Sequence, residues 1–207
     1  MKLIVFDIGS NSIRTARVTP GPDGGAVVSH KRVYTTRLAE GLAASGLLSQ
    51  SRMLQSLLVI RSVHAEASEQ GFLSFAYATS AVRDATNGRA FLDSVESIIG
   101  TGHARILTGK EEAEFAQLGA DPSGKRTILD IGGGSTQIIR AGFRESWPIG
   151  CVRAKDLAPY AELDSIREAL NPVLSGLFGQ PMLGGRTDLP EIPPEKQKSQ
   201  NNLLGVG

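Results

Sequence analysis

The apolar run Leu3 to Phe6 ends at Asp7, the polar stretch Gly9-Ser10-Asn11 follows, and apolar alternation resumes from Ser12 to Val18. An apolar strand, a short polar turn and a second strand predict a β-hairpin whose turn residues tolerate positive φ. The same order returns at 127–142, where TILDIGGGSTQIIRAG matches LIVFDIGSNSIRTARV with Asp7 on Asp130, Ile8 on Ile131, Gly9 on Gly132 and Ser12 on Ser135. A repeat of a whole supersecondary unit decides the architecture before any single element does.

Between the copies, strand and helix patterns alternate. A third strand is predicted at Ala26 to Val28, extending toward Tyr34. An amphipathic helix follows with apolar Met53, Leu54, Leu57, Leu58 and Ile60. Phe72 to Ala78 reads as a strand, Arg89 to Ile99 as a helix with apolar Phe91, Leu92, Val95 and Ile98, Ala104 to Leu107 as a strand, and Glu111 to Leu118 as a helix. The first lobe, 1–121, is therefore ordered βββαβαβα. A Pro/Ser/Gly turn over Asp121 to Lys125 marks its boundary. The second lobe, 126–184, restarts with the repeated hairpin, a third strand near Glu145 to Ile149 and a helix from about Asp164 to Leu174. Residues 185–207 form a polar, proline-rich tail expected to be loop or disordered, so the second lobe is expected to be incomplete.

Composition narrows the partners. With 22 Lys+Arg against 21 Asp+Glu and 5% aromatic residues, the chain lacks the basic stripe and stacking platforms of a nucleic-acid binder. No stretch approaches the ~20 apolar residues of a membrane span, and the run before Asp7 is too short for a signal-peptide core. One cysteine, Cys151, excludes an intramolecular disulfide and fits a reducing cytoplasm. The 24 glycines are the compositional excess, and several fall in the two repeated turns.

Two strand-Asp-Gly-Ser hairpins from two lobes suggest a cleft with a phosphate-binding turn on each wall. Successive backbone N–H groups make an anion nest, and an Asp at a strand end holds magnesium through water. In LTGKEEAEF, Thr108 and Glu111 have capping-box spacing. Glu112 lies ~100° further round the helix and is either a surface acid favoured by the helix dipole or a base that takes a proton from water. His30, His64 and His103 lack ligand spacing and read as ordinary residues. Cys151 has no nucleophile partner and reads as structural, and Trp147 reads as packing.

FDIGSNSIR, YATSAVRDATN, LTGKEEAEF, ILDIGGGSTQII and SWPIGCVR, in that order, closely resemble the exopolyphosphatase and guanosine pentaphosphate phosphohydrolase family. That family has the actin-like (ribonuclease H-like) two-lobe α/β fold shared with sugar kinases and Hsp70. The resemblance spans residues 6 to 153 and fades beyond about 175. It implies that Glu112 is the general base for the attacking water and that Asp7 and Asp130 are associated with Mg2+. It implies phosphate contacts from Gly9, Ser10, Asn11, Ser12, Gly132, Gly133, Gly134 and Ser135, and a phosphate-facing Arg83.

Two departures stand out. Gln137 replaces the family's usual Glu, removing a negative charge beside Asp130. The family's third Gly-rich element is either distorted in MLGGRT at 182–187 or cut off at its start in LLGVG at 203–207. The expectation is a magnesium-dependent hydrolase acting on polyphosphate or guanosine pentaphosphate, with a non-catalytic phosphate-binding protein or a degenerate fragment as the alternative. An exposed edge in the short second lobe would favour a homodimer.

Overall fold

A computed structural model describes residues 1–140, 142–157 and 203–206. β1 (Leu3–Ile8) alternates half-buried and buried positions, with Ile4, Phe6 and Ile8 inward. It pairs antiparallel with β2 (Ser12–Pro20), which pairs with β3 (Ala26–Thr35). β4 (Leu73–Ala78) lies parallel on the other side of β1, and β5 (Ala104–Ile106) parallel to β4. The first sheet is thus ordered β3-β2-β1-β4-β5.

The second sheet repeats four of these places. β6 (Thr127–Ile131), β7 (Thr136–Arg140) and β8 (Phe143–Trp147) form the antiparallel part, and β9 (Leu203–Val206) lies parallel to β6, giving β8-β7-β6-β9. Asp7 faces Arg14 across β1–β2 as Asp130 faces Gln137 across β6–β7, so the repeat read in the sequence is kept residue for residue in the ladders.

The helices divide between the sheets: those that precede β5 belong with the first, whereas the helix after it, which the sequence reading placed in the first lobe, packs on the second. α1 (Leu42–Ser45) is one turn long, and α2 (Gln50–Glu69) starts at Ser49, whose side chain accepts from Arg52 N. α3 (Ser80–Asp84) follows β4 directly, and α4 (Gly88–Ile99) buries Phe91, Leu92, Val95 and Ile99. α5 (Gly109–Ala120) begins with the predicted capping box of Thr108 and Glu111. The hydrogen bonds of that box, together with Arg105, hold the Glu111 carboxyl down at about 2. Buried Asp121 closes the helix and fixes the inter-lobe turn. Its carboxylate accepts from Ser123 Oγ at 2.5 Å and from Arg126 N at 2.7 Å, which keeps it below the usual carboxylate range.

Several expectations change. Leu54 and Leu58 are 59% and 58% exposed, while α2 packs through Ser56, Ile60, Val63 and Ala67. The stripe facing the sheet includes small residues that an apolar count overlooks. The third strand of the second lobe ends at Trp147 because Pro148 has no N–H to donate. The short α1 and α3 are absent from the sequence reading, as is α6 (Cys151–Leu157), which follows β8, whereas the helix expected at 164–174 lies outside the described residues, as do 185–202. The end of the presumed polar tail, Leu203–Val206, is a strand of the second sheet.

Candidate active site

The two Gly-rich turns have the same internal geometry. Gly9 N donates to Ser12 O at 3.0 Å and Gly132 N to Ser135 O at 2.9 Å. The carbonyls are tied back by the segment that follows the third strand of each lobe. Thr36 and Arg37 N donate to Asn11 O and Ala39 N to Ser10 O, as Cys151 N donates to Gly132 O and Val152 and Arg153 N to Gly133 O. The N–H groups of Ser10, Asn11, Gly133 and Gly134 have no backbone partner among the described residues. Each turn therefore spends its acceptors internally and keeps donors for an anion.

The turns meet. A Cβ on Gly134 would lie 2.6 Å from the hydroxyl oxygens of Ser10 and Ser80, and one on Gly133 would lie 2.8 Å from Ser10 Cβ. Ser10 Oγ and Ser80 Oγ are hydrogen-bonded at 2.9 Å across this junction. Gly150 backs the second turn so closely that its Cβ would sit 2.5 Å from Gly133 C. Only glycine allows this approach.

The acidic groups converge on the same place. Burial raises Asp7 above the usual carboxylate range, Arg14 opposes the shift, and the charge of Asp130 adds to it. Asp130 is raised by burial, again against Arg14. Glu112 is also raised chiefly by burial, opposed by Arg83, with Asp130 and Asp7 adding repulsion. Three carboxylates from β1, β6 and the first turn of α5 thus share one field, with Arg14 and Arg83 as the cations.

Arg83 Nη1 donates to Leu107 O at 2.8 Å and to Glu112 Oε2 at 3.2 Å. The guanidinium predicted to face phosphate therefore also holds the predicted base, whose side chain is 17% exposed. Ser12 opens β2 beside the first turn. Gln137 lies opposite Asp130 but is 1% exposed, and its Nε2 donates to Ser135 Oγ and Ser146 Oγ.

Sequence reasoning missed Arg14, Ser80 and Gly150. Arg14 was findable, since the repeat places it at the position of Gln137. Ser80 acts by close approach across the lobes and Gly150 by close approach within the second, and no local pattern encodes either.

Among the described residues no cluster of three or more His, Cys, Asp or Glu side chains forms a ready metal cage. Asp7 and Asp130 are close enough to sense each other, and neither carboxylate is hydrogen-bonded among the described residues. That donor set fits a magnesium ion held by one or two carboxylates, with water and substrate phosphate completing its shell.

Two lobes built on the same β-β-β unit, each bringing a Gly-rich turn to a shared acidic cleft, define an actin-like α/β fold. The sequence model of the Ppx/GppA phosphatase family matches residues 22–170, and the chain belongs to that family. Among its relatives are exopolyphosphatase 1 of Mycobacterium tuberculosis, 31% identical over 164 residues, covering 74% of this chain and 47% of that protein. The guanosine-5'-triphosphate,3'-diphosphate pyrophosphatase of Vibrio campbellii is 33% identical over 159 residues, covering 71% and 31%. The crystal structure of the Aquifex aeolicus family member superposes with a TM-score of 0.62 at 25% identity, covering 86% of this chain and 62% of that one. The chain spans about half the length of the curated relatives it matches.

Proposed function

We propose that this chain carries the catalytic half-site of a magnesium-dependent hydrolase that releases terminal phosphate from inorganic polyphosphate. The observation that carries the reading is the meeting of two phosphate-type turns with a raised, Arg-held Glu112. In-line phosphoanhydride hydrolysis needs phosphate positioning, charge neutralisation and an oriented water. The N–H groups of the two turns bind successive phosphates. Glu112, made more basic by burial, takes a proton from the water whose oxygen bonds to the terminal phosphorus. The P–O bond to the rest of the chain breaks, giving orthophosphate and a polyphosphate shorter by one unit. Asp7 and Asp130 would hold Mg2+, which when bound neutralises phosphate charge. Arg83 orients Glu112 through Nη1, and its Nη2, which has no protein partner among the described residues, is the nitrogen available to a phosphate oxygen.

Backbone N–H groups recognise phosphate without selecting a nucleoside, which favours polyphosphate over guanosine pentaphosphate. Competition for phosphate release ranks the two. No helix among the described residues is long and apolar enough to cross a membrane.

The test is phosphate release from polyphosphate in Mg2+ by the chain and by Glu112→Gln. The variant should lose ~10²-fold or more in turnover while binding polyphosphate almost unchanged. Equal turnover would remove Glu112 as the base. A second reading, a non-catalytic phosphate-binding protein, is favoured by Gln137, an amide committed to Ser135 and Ser146 where the family carries an acid. Binding without release in Mg2+ would support it.

A further inference from the structure

α3 is only five residues long, yet it reaches both Gly-rich turns and Glu112. Ser80 at its start meets both Gly-rich turns, through Ser10 Oγ and the bare Cα of Gly134. At its end, Arg83 and Asp84 point to different elements. Arg83 goes to the start of α5, where Nη1 meets Glu112 and, just before the helix, Leu107 O. Asp84 goes to α6, where its Oδ2 accepts from Arg153 Nη2 at 2.5 Å. The two neighbours are joined to each other, with Arg83 Nε 3.5 Å from Asp84 Oδ1.

Arg153 is in turn fixed to the second Gly-rich turn. Its own N–H and that of Val152 donate to Gly133 O, and its Nη1 donates to Pro148 O at 3.1 Å. The covalent and hydrogen-bonded path therefore runs from Gly133 to Arg153, Asp84, Arg83 and Glu112. The side chains of Arg153, Asp84, Arg83 and Glu112 are 21%, 32%, 26% and 17% exposed, and the Arg153–Asp84 bond lies at the surface end of the path. This is shielded enough for geometry to matter and too wet for a large gain in stability.

We infer that Asp84 is a positioning residue: it couples the seating of the second-lobe turn, through Arg153, to the orientation of Arg83 and thereby of Glu112. Two cations share this one carboxylate, so its loss removes a contact from each. The Arg153 side chain is left with Pro148 O alone, and Arg83 keeps Leu107 O and Glu112 at Nη1 but loses the partner that fixes its Nε end. The catalytic consequence rests on the reading of Glu112 as base, whereas the mechanical coupling does not.

Amide hydrogen exchange on the full chain tests the coupling without requiring turnover. Asp84→Asn should speed exchange of the Glu112 and Ala113 amides by roughly fivefold, Arg153→Gln should do the same, and the double variant should be no faster than either single. Phe6 in the first-lobe core should be unaffected, and Asp84→Glu should restore the slow rate. Unchanged exchange in Asp84→Asn, or two single effects that multiply in the double variant, would overturn the inference. In turnover, Asp84→Asn should lower kcat with KM nearly unchanged. If Glu112→Gln keeps full activity, the base assignment fails while the exchange result still decides the coupling. If Glu112→Gln is inactive and Asp84→Asn exchanges normally, the coupling alone fails.

Discussion

Asp7, Asp130 and Glu112 are each held above their ordinary carboxylate range, chiefly by burial. Such a group binds protons more readily folded than unfolded, so its ionisation costs stability once the pH rises past the unfolded value, near 3.8 for Asp7. Asp7→Asn removes that cost. In metal-free buffer at neutral pH it should raise Tm by roughly 2–4 °C, the equivalent of about 1 kcal/mol. The advantage should shrink as the pH falls through the raised folded value of Asp7 toward 3.8, which thermal melts across pH 4–8 would follow. A lower Tm at neutral pH would mean that Arg14 outweighs burial. Gln137→Glu tests the neighbouring position. A new carboxylate at a site 1% exposed, opposite Asp130, should tighten Mg2+ binding and lower metal-free stability. Calorimetric Mg2+ titration that shows no gain would mean that the Ser135 and Ser146 hydroxyls, not the amide, decide this corner.

At the level of elements, the decisive contact is turn against turn. Gly134→Ala would place its methyl 2.6 Å from Ser10 Oγ and Ser80 Oγ. Both hydroxyls are buried, so the turns must separate rather than a flexible tip move aside. The variant should lose polyphosphate affinity by at least tenfold, because two anion nests that no longer meet cannot grip adjacent phosphates. Gly46→Ala, with nothing within 4 Å but at positive φ, should cost stability alone and leave binding intact. Equal losses of affinity in both would show that the junction is not special.

The whole molecule is unevenly built. The first lobe packs α1, α2 and α4 around Phe6, Ile8, Leu38, Ile60, Phe91 and many others, whereas the second has Ala113, Ile128 and Ile139 as its buried apolar cluster among the described residues. Amides of β6 and β7 should therefore exchange faster than those of β1, by a factor that reports sub-global opening of the second lobe. Uniform protection in dilute protein would show that the second lobe is held as firmly as the first. β8 is an edge strand with exposed Arg144 and Glu145, charges that oppose pairing of two copies through that edge.

Sequence alone determined the repeat, the longer strands and helices of the first lobe but not the short α1 and α3, the capping box of α5, and Asp7 and Asp130 as acids to watch, while Glu112 stood out as a base only through the family resemblance. These are local: apolar alternation, turn residues and cap spacing act over a few positions, and the repeat copies a whole local solution. It missed that α2 packs through Ser56 and Ala67, that α6 follows β8, and that Leu203–Val206 pairs with β6. Those depend on what distant surfaces offer, and parallel pairing in particular leaves no local mark because its partner lies far along the chain. The site divides in the same way. The residues were legible, but that Arg83 grips Glu112, that Ser10 meets Ser80, and that Gln137 turns to Ser135 and Ser146 was decided by tertiary structure. Close approach between two lobes is a property of their packing, and residue type says only which positions are small enough to permit it.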